Sequence, residues 1–128
     1  MSEKKCILIV DDDPDFRRTT ELLLQAAGYD VLTAVDSHDA EAMATEHSPD
    51  LILLDVMMEE VDAGFTFAEK FGRTYRIILL SSIADSSVKV FDAHTLPVKG
   101  ILQKPIQADI LLQTVSKAVQ EDKEEGNL

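Results

Sequence analysis

Four short, mainly apolar segments of this 128-residue chain each end in a reactive side chain. Carboxylates follow two of these segments, at Asp11-Asp12 and at Asp55. A hydroxyl group follows another at Ser81, and an ammonium group follows the last at Lys104. Unbroken apolar runs rich in Ile, Leu and Val are typical of parallel strands that are buried on both faces. We therefore expect each of these reactive groups to lie just past the end of a strand.

The carboxylates indicate a cation site. Two ionised carboxylates about 4 Å apart repel each other by roughly 4 kcal/mol at an effective dielectric constant near 20. If Asp11, Asp12 and Asp55 meet in one pocket, Lys104 offsets one negative charge, and a proton or a cation must offset the rest. Mg²⁺ suits such a pocket because it accepts carboxylates, water and phosphate oxygens. The presence of one cysteine, Cys6, and the lack of a His pair at ligand spacing argue against zinc.

The same groups are suited to phosphoryl transfer. Asp55 can act as a carboxylate nucleophile and form an acyl phosphate. Transfer to it requires positioning and neutralisation of the phosphoryl oxygens. A cation on Asp12, the ammonium group of Lys104 and the hydroxyl group of Ser81 could each hold one oxygen, so every group has a role.

These side chains can meet only if the strands that precede them share one sheet. The sequence alternates strand and helix five times, with predicted strands at 6–10, 29–35, 51–54, 76–80 and 98–102. The helices are predicted to end near residues 27, 47, 71, 95 and 119. Helices between consecutive strands imply right-handed crossovers and a parallel sheet covered on both faces. The carboxyl ends of such strands form one edge, where ligands of open α/β sheets bind.

Local signals set the helix boundaries. We expect Asp13 to cap the first helix, with Pro14 at the first helical position and Gly28 just past the end. Ser37 is expected to cap the second helix. The last helix is predicted from Ala108 to Val119, and the polar residues after it are expected to fray.

Composition limits the classes of function. The chain is 45% hydrophobic and 28% charged, as is typical of a soluble globular domain, with a net charge of −12 and a pI near 4.5. This charge argues against binding to nucleic acid or an anionic membrane. One cysteine excludes an intrachain disulfide, and no apolar stretch is long enough for a signal peptide or a membrane span. We expect a cytoplasmic protein with one domain over 1–122 and a polar tail over 123–128.

Four motifs, taken in order and spacing, resemble the receiver domain of two-component response regulators, in the chemotaxis-regulator superfamily. The motifs are Ile9-Val10-Asp11-Asp12-Asp13-Pro14, Leu53-Leu54-Asp55-Val56-Met57-Met58, Leu80-Ser81-Ser82 and Lys104-Pro105. Together they cover residues 6 to about 120. The resemblance implies an α/β fold of the flavodoxin-like (βα)5 type, a three-layer sandwich with a five-stranded parallel sheet of order 2-1-3-4-5.

The resemblance further implies that Asp55 is phosphorylated in a Mg²⁺-dependent reaction. The phosphoryl donor would be a phosphohistidine of a sensor histidine kinase or of a histidine phosphotransfer protein. Asp12 would bind Mg²⁺ directly together with Asp55, Asp11 would bind it partly through water, and Met57 would contribute its backbone carbonyl.

The resemblance also implies a signalling role. Ser81 would be the switch hydroxyl and Lys104 the lysine that contacts the phosphate. Such a protein is a phosphoprotein switch rather than an enzyme, catalysing at most its own phosphotransfer and dephosphorylation. A downstream effector protein or domain would dock on the face formed by the fourth helix, fifth strand and fifth helix, and a homodimer is compatible with this reading.

Three features depart from the family pattern: Glu59, Ile101 and the segment Asp62-Ala63-Gly64, which suggests one inserted residue in the loop before the third helix. Glu59 stands where the family usually has proline, and Ile101 stands in place of the switch aromatic three residues before the lysine. Ile101 cannot supply a polar-tipped ring, so we expect switching to depend more on Ser81 and the loop after it, or to be weak. Met57 and Ile83 flank the phosphate in this family, and their apolar side chains predict a long-lived phosphoryl group.

Two other functions compete with this interpretation. A phosphohydrolase of the haloacid dehalogenase type also begins with strand-Asp-x-Asp, but the segment 11–15 lacks the expected Thr or Val, and Pro14 would block the geometry. A scaffold that keeps the receiver fold without phosphorylation is compatible with Glu59 and Ile101. The intact acid pair, Asp55 and Lys104 argue against the scaffold.

Overall fold

The structure of the chain, a computed structural model, describes residues 4–56, 63–82 and 98–126. The strands are β1 (Cys6–Val10), β2 (Asp30–Ala34), β3 (Leu51–Asp55), β4 (Ile77–Ser81) and β5 (Gly100–Gln103). The helices of the described ranges are α1 (Pro14–Ala26), α2 (Ser37–His47), α3 (Ala63–Phe71) and α4 (Ala108–Gly126). Helices therefore separate β1, β2, β3 and β4 in the order that the sequence predicts. The predicted helix at 85–95 lies outside the described residues.

All five strands are parallel and lie in the order β2-β1-β3-β4-β5. This is the predicted flavodoxin-like order, so the prediction of the fold is confirmed. The central strands β1, β3 and β4 are buried almost throughout, because helices cover both faces of the sheet. The order places the ends of β1 and β3 side by side, with β4 next to β3.

Alternating residues of the strands divide the core into two layers. Leu8 and Val10 point to the face covered by α2 and α3, and they pack in one cluster with Ala44 and Phe67. The residues between them point to the opposite face and pack in a second cluster with the helices α1 and α4. This alternation is the period of two that a strand requires, and it produces the three layers predicted from the sequence.

Helix α1 begins and ends where the sequence predicts. The side chain of Asp13 accepts hydrogen bonds from the backbone N–H groups of Asp15 and Phe16, at 3.0 and 3.5 Å. Pro14 occupies the first helical position. Gly28, just past the end, has a φ of +101°, a conformation that L side chains rarely adopt. The first helix therefore starts directly after the acidic segment and holds it at the end of β1.

Most strand ends lie within one residue of the predictions, and three boundaries differ in ways that have a physical reason. The cap of α2 is Asp36 rather than Ser37, since the Asp36 carboxylate accepts the N–H of Asp39 at 2.8 Å. Strand β5 begins at Gly100 rather than at residue 98, because its ladder with β4 starts there. Helix α4 continues to Gly126 rather than ending near residue 119, as the Gln, Glu and Lys residues of that segment favour helix. The domain boundary at residue 122 stays a prediction and falls inside α4.

Within the described ranges, none of the helices combines the length and the apolar composition that crossing a bilayer would require.

Candidate functional site

The carboxyl ends of the strands meet at one edge of the sheet, as the sequence analysis requires. Just past β3, the N–H of Val56 donates to the carbonyl of Leu80 in β4 at 3.0 Å. Just past β5, the N–H of Lys104 donates to the carbonyl of Ser81 at 2.6 Å. These backbone hydrogen bonds fix the ends of β3, β4 and β5 next to one another. The side chains that follow the strands are therefore held in register.

Three carboxylates gather at this edge. One ligating oxygen from each of Asp11, Asp12 and Asp55 lies within 4.8 Å of the other two. Asp11 is fully buried, Asp55 is 6% exposed and Asp12 is exposed. The buried pair could thus hold a cation from the protein side, while Asp12 faces the solvent from which the ion would enter.

Lys104 brings an ammonium group to the same carboxylates. Its Nζ lies 2.6 Å from Asp11 Oδ2 and 3.7 Å from Asp55 Oδ2. Three carboxylates and one ammonium leave an excess of two negative charges. The donors are all hard carboxylate oxygens, so the pocket fits a small divalent cation such as Mg²⁺. Such a cation would attract all three carboxylates and so offset their mutual repulsion.

Asp11 has a fixed orientation. Its Oδ1 accepts the backbone N–H of Asp13 at 2.9 Å, while Oδ2 accepts from Lys104. The carbonyl of Asp11 accepts a hydrogen bond from the guanidinium group of Arg17 at 2.8 Å. Arg17 was not among the predicted site residues. Its position six residues after Asp11, on the first turns of α1, is the signal that could have pointed to it.

Phe16 is a second residue of this region that was not among the predicted site residues. The ammonium nitrogen of Lys104 lies over its ring, 4.2 Å from the centroid. This distance is within the range of a cation–π interaction. Phe16 lies on the first turn of α1, three residues after the capping Asp13, and this spacing places it near the acidic segment.

The hydroxyl group of Ser81 is buried without a partner. Ser81 ends β4, has no exposed surface, and its Oγ makes no hydrogen bond within the part of the chain that the structure describes. Leaving a buried hydroxyl unpaired costs about 1–3 kcal/mol. Such a group in a native site calls for an explanation, and an absent ligand is one of the accepted explanations. The Ser81 hydroxyl therefore has donor capacity that the described residues do not use.

The remaining predicted residues divide into two groups. Met57, Glu59 and Ile83 lie outside the described residues. Ile101 lies on β5 and is half-buried, and it packs against the core cluster that contains its strand partner Leu79. The position of the family's switch aromatic is thus filled by an aliphatic side chain that contributes to the core.

Three comparisons with known proteins agree with this geometry. The family model "Response regulator receiver domain" matches residues 7–116. The chain is 35% identical over 116 residues to the DNA-binding dual master transcriptional regulator RpaA of Synechocystis, covering 85% of this chain and 46% of that protein. It is 34% identical over 116 residues to the chemotaxis protein CheY of Bacillus subtilis, covering 88% of this chain and 96% of CheY.

A solved structure is also similar. The CheY-like response regulator receiver domain protein of Methanospirillum hungatei superposes with a TM-score of 0.86 at 25% identity, covering 96% of this chain and 99% of that one. The chain spans about half the length of the transcriptional relatives RpaA and ycf27 that it matches. The family model covers most of the chain, and the sheet order and the site agree with it: this chain belongs to the family of response regulator receiver domains.

Proposed function

We propose that the chain is the phosphoacceptor switch of a two-component phosphorelay and that Asp55 takes the phosphoryl group in a Mg²⁺-dependent reaction. One observation carries this proposal. The ligating oxygens of Asp11, Asp12 and Asp55 lie within 4.8 Å of one another, and the Lys104 ammonium group lies 3.7 Å from Asp55. Proteins of the receiver family are signalling proteins rather than conventional enzymes, so the expected product is a modified protein.

The proposed step is a phosphoryl transfer from nitrogen to oxygen. A carboxylate oxygen of Asp55 attacks the phosphorus atom of a phosphohistidine, and the P–N bond breaks with its electron pair going to the imidazole, which takes up a proton. The product is an acyl phosphate on Asp55. The donor is a sensor histidine kinase or a histidine phosphotransfer protein, which are the partners implied by the family resemblance.

Each side chain of the site has a proposed task. Bound Mg²⁺ would supply positive charge to the phosphoryl oxygens. Asp12 would hold it directly with Asp55, Asp11 would hold it partly through water, and the backbone carbonyl of Met57 would complete the protein ligands. Asp11, as the more deeply buried acid, is also the anchor of the lysine.

Lys104 and Ser81 would hold the phosphoryl group after transfer. The ammonium group of Lys104 is already close to Asp55 and keeps donors beyond the one that Asp11 accepts. The hydroxyl group of Ser81 has donor capacity that the described residues leave unused. Both groups would therefore gain hydrogen bonds in the phosphorylated state, and this gain would drive the change of conformation.

The output of the switch is proposed from the same family. A downstream effector protein or domain would bind the face that includes β5 and α4, and a homodimer is compatible with this arrangement. RpaA is described as a DNA-binding regulator. With a net charge of −12, we do not assign nucleic-acid binding to the present domain. We propose that the protein acts in the cytoplasm, where histidine kinases present their phosphohistidine.

Intact mass after incubation with acetyl phosphate and Mg²⁺ tests the proposal. We expect the wild-type chain to gain the mass of one phosphoryl group, and we expect Asp55→Asn or the omission of Mg²⁺ to prevent the gain. Asp109→Asn, at an exposed aspartate on the first turn of α4, should gain the mass as the wild type does.

The outcomes separate the competing functions. A mass gain that persists in Asp55→Asn would assign the phosphoryl group to another residue. No gain in the wild type would favour the phosphorylation-independent scaffold, and sustained turnover of a phosphate ester would favour a phosphohydrolase.

A further inference from the structure

The ammonium group of Lys104 has three neighbours that come from three different elements. Asp11 follows β1 and lies 2.6 Å from Nζ, while Asp55 ends β3 and lies 3.7 Å from it. The third neighbour is the ring of Phe16 on α1, with its centroid 4.2 Å from Nζ. The family resemblance assigns tasks to the acids and the lysine, but it leaves the ring without one.

We propose that Phe16 is a positioning residue whose ring holds the Lys104 ammonium group beside Asp55 and so raises the rate of phosphoryl transfer. This inference rests on the proposed function. Phe16 would act through Lys104 alone, without contact to Asp55 or to the phosphoryl group.

The lysine needs such a support because its side chain is long and flexible. A Lys ammonium group is a compact charge on a stem with many rotamers. Its closer carboxylate contact is Asp11 rather than Asp55, and 20% of its side chain is exposed. Asp11 alone would leave the ammonium group free to turn about one oxygen toward the solvent. A second fixed contact removes that freedom.

An aromatic ring is a suitable support in this pocket. Its face attracts a cation through the ring quadrupole, and it adds no negative charge to a site that already contains three carboxylates. A further carboxylate would raise the repulsion at Asp55 and would compete with the phosphoryl oxygens for the lysine's donors. The ring holds the ammonium group and leaves those donors available.

The ring itself is held firmly. Phe16 lies in the first turn of α1, where its N–H donates to the capping carboxylate of Asp13 at 3.5 Å. It also packs against the core cluster that contains Ile9 and Leu80, residues of the strands that lead into the site. The first turn of α1, which directly follows Asp11 and Asp12, therefore positions the ring beside the site.

The rate of phosphorylation by acetyl phosphate tests the inference, since this small donor bypasses any docking of a kinase on α1. We expect Phe16→Leu, which keeps an apolar side chain but removes the ring, to lower the rate about 3- to 10-fold. Phe16→Tyr, which restores an aromatic face, should keep most of the wild-type rate. Leu22→Ala, at an exposed position of the same helix, is the matched control and should not change the rate.

A double-mutant comparison separates positioning from structural damage. In a Lys104→Ala background, Phe16→Leu should have no further effect on the rate, because the ring would have no ammonium group to hold. An equal slowing in both backgrounds, or a failure of Phe16→Tyr to restore the rate, would overturn the inference.

A spectroscopic measurement gives a second test that does not depend on the rate. The ring current of Phe16 should shift the NMR signals of the Lys104 Hε protons upfield in the wild type, and Phe16→Leu should abolish the shift. Unshifted Hε signals in the wild type would overturn the inference. No mass gain in the wild type overturns the proposed function, whereas a normal gain with an unchanged rate in Phe16→Leu overturns this inference alone.

Discussion

The two edges of the sheet use charged side chains in opposite ways. At the amino edge, the carboxylate of Asp50 accepts the backbone N–H of Cys6 at 2.8 Å. The guanidinium group of Arg76 donates to the carbonyl of Asp50 at 3.0 Å. At the carboxyl edge, Asp12 lies close to two further carboxylates, both of which are near one ammonium group, and the buried hydroxyl of Ser81 has no partner among the described residues.

The difference separates structural charges from functional ones. Charges at the amino edge complete the hydrogen bonds of backbone groups where the strands begin, so each of them stabilises the fold. Charges at the carboxyl edge exceed what the backbone can use, and their mutual repulsion lowers the stability of the folded chain. A cation and a phosphoryl group would offset that surplus, which is why we propose the functional site at the carboxyl edge.

The largest effect on ligand binding and stability is expected at the carboxyl edge, where a substitution can relieve the repulsion between carboxylates. Asp12→Asn removes one of three neighbouring carboxylates, so it should weaken Mg²⁺ binding by at least roughly 10- to 100-fold, the cost of losing a group that only orients a metal ligand. The same change should stabilise the chain without Mg²⁺ by about 1 kcal/mol, the Coulomb energy of one such pair in water. Calorimetric titration with Mg²⁺ and urea unfolding measure the two quantities.

The matched control for this prediction is Asp15→Asn, at an exposed acid that the metal cluster does not include. It should leave Mg²⁺ binding unchanged. A loss of stability in Asp12→Asn would contradict the account of the carboxyl edge as a region of repulsion.

At the amino edge, removal of a carboxylate should lower the stability of the chain rather than raise it. Asp50→Ala removes the carboxylate that accepts the N–H of Cys6, and it should lower the free energy of unfolding by about 1–3 kcal/mol. Urea unfolding measures the change. Asp50→Asn retains an acceptor oxygen and should lose less. If Asp50→Ala were neutral, the proposed distinction between the two edges would fail.

The smallest effect on stability is expected at Ser81. Its hydroxyl has no partner in the described ranges, so Ser81→Ala removes the cost of an unsatisfied group rather than a bond and should raise the free energy of unfolding by up to about 1 kcal/mol. The phosphorylated state should be affected instead, with a weaker response of the amide spectrum to beryllofluoride. Ser81→Thr keeps the hydroxyl and serves as the control. A stability loss above about 1.5 kcal/mol would mean that the hydroxyl is bonded in the folded chain.

Most of the fold was predictable because its signals are local. Apolar runs define the strands, and the pairing of Asp13 with Pro14 defines the start of α1, since capping depends on a few neighbouring residues. The errors arose where neighbouring signals compete. Asp36 and Ser37 are both good caps, and only the geometry of the chain leaving β2 selected Asp36. Helix α4 extends beyond its predicted end because the polar residues after Val119 favour helix as well as solvent.

The sequence by itself determined which chemical groups follow which strands, and therefore that Asp11, Asp12, Asp55, Ser81 and Lys104 would share one edge. This follows from the parallel sheet, in which every strand ends on the same side. Neither the individual distances nor the two missed contacts could be derived in this way.

Only the tertiary structure decided how these groups pair. Lys104 is 93 residues from Asp11 in the chain, and its preference for Asp11 over Asp55 depends on how β5 packs beside β4 and how α1 leaves β1. The same packing places the ring of Phe16 at the ammonium group and leaves Ser81 without a partner among the described residues. Distances of this kind are set by long-range packing, which no local pattern of residues encodes.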